Sequence, residues 1–323
     1  MSSTFDPALL PAATDSERCA VHAERIELDP GGTALWVDEL LVVDVPLPWP
    51  KPVWAAPGFT AVPELVMAAE ESGRRIRVLA AVPLDDGIGR VVTHRLVDRA
   101  RFARAEHRVA PAQVADLLHR MLGDGLDASP DSVVSREPVR ELLLCTQGSH
   151  DVCCGSRGTA MHAALELLDT GVSLRRVSHT GGHRMAPTGV TLPDGRMWGM
   201  ADIDELLAIL RGDGSPGSVA RRCRGWIGAA PGPEQMAERA VMAEVDDWRF
   251  DTCSRSVVVL DDGGDEGEDD ERVTRVEVAV DGEVWRVEVE PGRAVPTIAC
   301  GQPGGLPAKP GTEWRVRSIS RSG

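Results

Sequence analysis

The stretch of residues 142–199 constrains this chain more than any other, because it gathers three of the seven cysteines and four of the eight histidines. Within it Cys145 and Cys154 form a Cys-x8-Cys pair, and His179 and His183 a His-x3-His pair. Four soft or borderline donors in two pairs suggest one metal centre.

The pattern around the pairs says how. Residues 141–145 form a short apolar run expected to be a strand, and a helix is expected from about residue 157 to 169 with Met161, Leu165 and Leu168 on its inner face. The next strand covers 174–177. Pro193-Asp194-Gly195, flanked by 189–192 and 196–199, predicts a β-hairpin. Asp202 with Glu205 forms a capping box for a helix over 203–210. Cys145 therefore stands at a strand end, Cys154 just before a helix N-terminus, where unpaired N–H groups favour an anion, and His179 at the start of a loop. The order strand, helix, strand, hairpin, helix resembles a thioredoxin-like layout.

The rest of the chain divides around this unit. Residues 1–18 are polar and unpatterned, so a loosely attached start is expected. Over 19–136 strands at 34–45, 76–82 and 91–96 alternate with helices at 62–72 and 112–122, which makes an N-terminal α/β unit. The polar segment 123–136 is the expected boundary before the unit at 137–230. From 231 to 323 a helix at 234–245 leads into a β-rich tail, with strands at 256–260, 274–280 and 284–289 and a hairpin turn at Asp281-Gly282. No internal sequence repeat is evident.

The net charge is −15, and the run at 261–271 carries eight carboxylates without a base. Such a balance disfavours nucleic acid and anionic membranes. The run itself is expected to be a solvated loop, with an acidic docking patch for a basic partner as the sharper alternative. Seven scattered cysteines make no disulfide framework, no segment near the N-terminus has the basic and apolar regions of a signal peptide, and no apolar run is long enough to span a bilayer. A reducing cytoplasm is the expectation.

The two pairs exclude several common chemistries. His179 and His183 enclose Thr180-Gly181-Gly182, which disfavours a helix and supplies no general base for a zinc hydrolase, while giving the loop freedom to aim both imidazoles at one point. There is no Cys-x-x-Cys, and eight intervening residues exceed zinc-finger spacing. From spacing alone zinc, an iron–sulfur cluster and no metal all stay open. Cys153 is expected to be a buried thiol close to the ligands, with a spare ligand or a vicinal disulfide to Cys154 as the alternatives. Cys19, Cys223, Cys253 and Cys300 are expected to be small buried apolar residues. His150 and His162 are expected at the surface or in helix packing, and Asp151 bonding the N–H groups of its own loop.

The strings CTQGSHDVCC (145–154) and SHTGGHR (178–184) together resemble the paired signatures of sucrase/ferredoxin-like proteins, a branch of the thioredoxin-like ferredoxins. The resemblance is best over 136 to about 228. It implies an α/β fold with a thioredoxin-like ferredoxin domain, preceded by a second α/β unit and followed by a small β-rich region. It implies that Cys145 and Cys154 bind one iron of a 2Fe-2S cluster and His179 and His183 the other, with Cys153, Thr180 and Arg184 close by. The expected role is one-electron transfer or redox sensing with an unidentified redox partner, as a carrier more than a stand-alone enzyme. Imidazole is neutral where thiolate is anionic, so the expected potential is raised and pH-dependent. The alternatives are a zinc-stabilised structural or interaction module, and a thiol-dependent reductase using Cys153 and Cys154.

Overall fold

The structure, a computed structural model, describes residues 5–261 and 273–322. The acidic run beyond Asp261 lies outside the described residues. The large sheet is built from β1 (Glu39–Asp44), β2 (Ile76–Ala81), β3 (Gly89–Val97), β4 (Arg101–Val109), β5 (Val133–Ser135), β6 (Glu141–Cys145), β7 (Ser173–Val177), β8 (Thr188–Leu192), β9 (Arg196–Gly199) and β10 (Cys223–Trp226). Their order across the sheet is β10-β9-β8-β6-β7-β2-β1-β3-β4-β5. The helices are α1 (Cys19–Arg25), α2 (Val62–Glu71), α3 (Val114–Asp124), α4 (Thr159–Glu166), α5 (Ile203–Arg211), α6 (Pro216–Val219) and α7 (Pro233–Val245).

The sheet consists of two halves with one topology. β1 runs parallel to β2 and antiparallel to β3, which pairs antiparallel with β4. β6 stands in the same relation to β7, β8 and β9. α2 and α4 connect the parallel pairs, and α3 and α5 follow the hairpins. The expected thioredoxin-like order thus occurs twice, although the sequence shows no repeat, because the halves share only their hydrophobic periodicity. They meet where β2 and β7 pair antiparallel at Ala81 and Val177. There Ser178 N–H donates to the Ala80 carbonyl at 2.7 Å, and the Ala80 N–H to Ser178 Oγ at 3.0 Å.

The central strands are apolar on both faces, as strands covered on both sides must be. One core packs α2 and α3 against Leu41, Val43, Val78 and Val91. Another joins Leu142, Leu144, Leu206 and Ile209 through Ala237 and Val241 of α7 to Val276, Val278, Trp285 and Val287. Those last residues belong to a second sheet, four antiparallel strands in the order β11 (Arg255–Asp261), β12 (Thr274–Val280), β13 (Glu283–Thr297), β14 (Lys309–Ser322). The tail is therefore one sheet backed by α7, with the Asp281-Gly282 turn joining β12 to β13.

Several local expectations change. Asp202 and Glu205 form the capping box, but α4 ends at Glu166, which leaves Leu168 41% exposed instead of on an inner face. β4, β5, β10 and β14 were not anticipated, β5 because three residues carry no pattern and the others because charged residues or glycine interrupt theirs. Among the described residues, a 3-10 turn at Pro7–Leu9 precedes Leu10, which packs beside Cys19. No helix among the described residues is long and apolar enough to cross a membrane.

Candidate metal centre

β6 delivers Cys145, wholly buried, at its C-terminal end. The chain then loops to Asp151, whose Oδ1 accepts the Cys153 N–H at 2.8 Å and whose carbonyl accepts the Gly155 N–H at 3.0 Å. Asp151 thus starts the helical turn, as an N-terminal capping carboxylate does. Helical backbone begins at Val152 and passes through a π-type turn at Cys154–Gly158 into α4. Cys154 consequently lies inside the first turn, not before a helix starting at Arg157. Gly155 and Gly158, poor helix formers, hid that start. Gly158 is there for contact: a Cβ would sit 1.9 Å from the Cys145 carbonyl oxygen.

Cys145, Cys154 and His179 each place one donor atom within 4.8 Å of the others. Cys154 Sγ lies 4.0 Å from His179 Nδ1. His183 follows one turn of chain later, its ring centroid 6.1 Å from that of His179. Its Nδ1 faces Asp151 Oδ2 at 3.0 Å and Cys19 Sγ at 3.2 Å.

The histidine loop is clamped from three sides. His179 N–H donates to Gln147 Oε1 at 3.0 Å, Arg77 Nη2 donates to the His179 carbonyl at 3.0 Å, and Arg224 Nη1 to the Gly181 carbonyl at 3.0 Å. Gly182 has φ +70°, and a Cβ there would lie 2.6 Å from Arg224 Nη2, so both conformation and space require glycine. The freedom expected of the Gly-Gly pair is used. His150, expected at the surface or in helix packing, stacks on His179 with centroids 3.8 Å apart and planes 16° from parallel. His162 does pack in its helix, with Nδ1 3.3 Å from Glu166.

Thr180 is fully buried, and its Oγ1 has no hydrogen-bond partner among the described residues. Arg184 turns away to Thr297 Oγ1 and ties the loop to β13. Arg77, Gln147 and Arg224 could not be read from the sequence, because their roles depend on strands that meet only in the fold.

These contacts set the protonation of the thiols. Within the buried Cys145/Cys154 pair, the hydrogen bond from Cys154 holds Cys145 well below the ordinary thiol range; burial opposes this, and His179 with the N–H groups of Gln147 and Thr180 adds to it. The same bond pushes Cys154 up. Burial, with His179 next, lowers His150 to about 4. Burial alone would raise Asp151, but its hydrogen bond with His183 and that residue's charge, together with the Cys153 N–H, bring it to about 2. Burial brings the Arg224 guanidinium to about 10.

Cys153 and Cys154 face different groups. Cys153 Sγ is 3.5 Å from Cys19 Sγ and 3.8 Å from Cys300 Sγ. Cys19 and Cys300 are therefore not isolated apolar fillers, as expected, but converge across the fold on one atom. The hydrogen bond from Cys19 lowers Cys153 to about 6, and the same contact raises Cys19. Cys223 is buried beside Arg196, and Cys253 is half-buried. All seven cysteines are free.

The sequence pattern of the sucrase/ferredoxin-like family matches residues 49–225, more than half of the chain. The protein belongs to that family. The match includes both pairs, Cys145/Cys154 and His179/His183, and excludes Cys19 and Cys300. It also takes in most of the first half of the sheet, from α2 onward, and leaves β1 outside. No curated protein and no solved structure matches the chain.

Proposed function

We propose that Cys145, Cys154, His179 and His183 hold one 2Fe-2S cluster, and that the protein passes single electrons between a donor and an acceptor in the cytoplasm. The observation that carries this reading is the buried thiol pair with His179 beside it, His183 standing with its ring 6.1 Å from that of His179, in a sucrase/ferredoxin-like chain. The donors fit the group, since thiolates are the ordinary ligands of such clusters and two imidazoles replace two of them on one iron in Rieske centres. Bound there, the cluster supplies a one-electron couple whose potential the neutral imidazoles raise.

The chain's own residues shape that couple. Cys145 and Cys154 sit behind the loop and are kept from water, whereas His150, His179 and His183 face outward and form the side over which electrons enter and leave. Asp151 engages His183 at Nδ1, leaving Nε2 for iron, and gives the ring proton a carboxylate partner. Arg77 and Arg224, held against the loop carbonyls, place positive charge near a centre that gains an electron. That arrangement favours the reduced state.

Anaerobic titration with dithionite tests the reading. Uptake of one electron per chain with bleaching of a visible absorption supports it; a colourless chain that takes up no electrons refutes it. Stoichiometric zinc lost on substituting Cys145 or His179 would replace it with a structural zinc site.

A further inference from the structure

We infer that Cys19, Cys153, Cys300 and Asp151 form a second metal site, for a thiophilic d10 cation of the zinc type. It uses none of the cluster's thiols, adjoins that centre through Asp151 and Cys19, both of which touch His183, and lies partly outside the family match.

Geometry carries the inference. The four side chains place one donor atom each within 4.8 Å of one another. The two sulfur–sulfur contacts of Cys153 measure 3.5 and 3.8 Å, and a tetrahedral ion with Zn–S bonds of about 2.3 Å spaces its sulfurs by about 3.8 Å. Three thiolates with one carboxylate are donors that zinc accepts. Cys19 and Cys153 are buried and Cys300 half-buried, so a bound ion would be shielded from water. Cys300 Sγ also accepts the Cys19 N–H at 3.4 Å. The positive charges of Arg157 and Arg184 act on Cys19, which offsets the excess negative charge of such a donor set.

The donors come from three parts of the chain that chemistry alone would not group. Cys19 opens α1, Cys153 belongs to the turn entering α4, and Cys300 lies in the loop between β13 and β14. Two backbone contacts already align the first with the last: the Gly301 N–H donates to the Glu17 carbonyl and the Gly304 N–H to the Asp15 carbonyl, both at 2.9 Å. An ion here fastens the N-terminal segment and the second sheet over the loop that carries Cys154. Because ligand binding to the native state alone stabilises it, the ion adds directly to the stability of that closure.

The test uses the full chain, handled anaerobically, with zinc and then cobalt(II) as probes. One zinc per chain is expected beside any iron, and cobalt(II) on the unaltered chain should show the intense visible bands of tetrahedral thiolate ligation. Cys19→Ser and Cys300→Ser should each weaken zinc binding by on the order of a hundredfold, and Cys300→Ser should leave the iron content unchanged. Cys145→Ser should lose iron and keep zinc. Absence of zinc and of the cobalt bands on the unaltered chain overturns the site. So does loss of iron in Cys300→Ser, loss of zinc in Cys145→Ser alone, or an intact mass two hydrogens short, which marks a disulfide among the three thiols.

Discussion

The two halves of the large sheet share a frame and differ in what stands at one corner. β1 ends in Asp44 where β6 ends in Cys145, and both residues are buried. Asp44 Oδ1 accepts from Arg175 Nη2 at 2.7 Å, while Arg90 stands 3.9 Å from Oδ2. Burial pushes the Asp44 carboxyl up in spite of both arginines, so this pair is imposed by packing more than by net attraction. The first half thus uses the corner to join the halves, since Arg175 lies on β7, and the second uses it to bind. The proline-rich loop after β1 has become a wall of the other half's site. Pro50 O accepts from Gln147 Nε2 at 3.1 Å, and Lys51 Nζ donates to the His150 carbonyl at 2.7 Å. The lesson is that the frame fixes where a site can be, and the residues at the strand ends decide whether there is one.

The contrast is sharpened most by exchanging the roles of its two corners. Cys145→Ser should abolish bound iron and visible absorption, whereas Asp44→Asn should retain both, as iron analysis of the purified variants would show. Retention of iron by Cys145→Ser breaks the contrast. Asp44→Ala leaves a buried guanidinium without its carboxylate and should cost about 3 kcal/mol in chemical denaturation. A neutral result there would mean that the halves are joined without help from this ion pair. Gly182→Ala forces a side chain into a left-handed conformation against Arg224, and should cost about 1–2 kcal/mol and speed the loss of iron. The smallest effect is on the potential. With the cluster bound, His179 and His183 would lose a second ring proton more readily in the oxidised state, so the potential should fall as pH rises and level off at low pH. Protein-film voltammetry that shows a flat potential from mildly acid to strongly alkaline pH contradicts this.

Much of this was legible in the sequence, for identifiable reasons. The strand over Glu141–Cys145, the turn at Pro193-Asp194-Gly195 and the Asp202/Glu205 cap each depend on near neighbours, and each appears as expected. The two donor pairs were legible because the glycines between the histidines allow little but a tight loop. What could not be read depends on distance along the chain. Arg224 reaches back to Gly181, and Cys19 and Cys300 reach Cys153 across 134 and 147 residues, leaving no spacing to recognise. The duplicated topology escaped for a similar reason, since Asp44 and Cys145 share a position but no chemistry.

The central claim is that cysteine holds one iron and histidine the other. EPR of the reduced protein, with hyperfine spectroscopy on chains carrying ¹⁵N-histidine, addresses it most directly. The account predicts a rhombic signal with couplings from two histidine nitrogens, lost in the Cys145→Ser chain. A signal without nitrogen coupling, or an EPR-silent protein holding only zinc on these four residues, would contradict it.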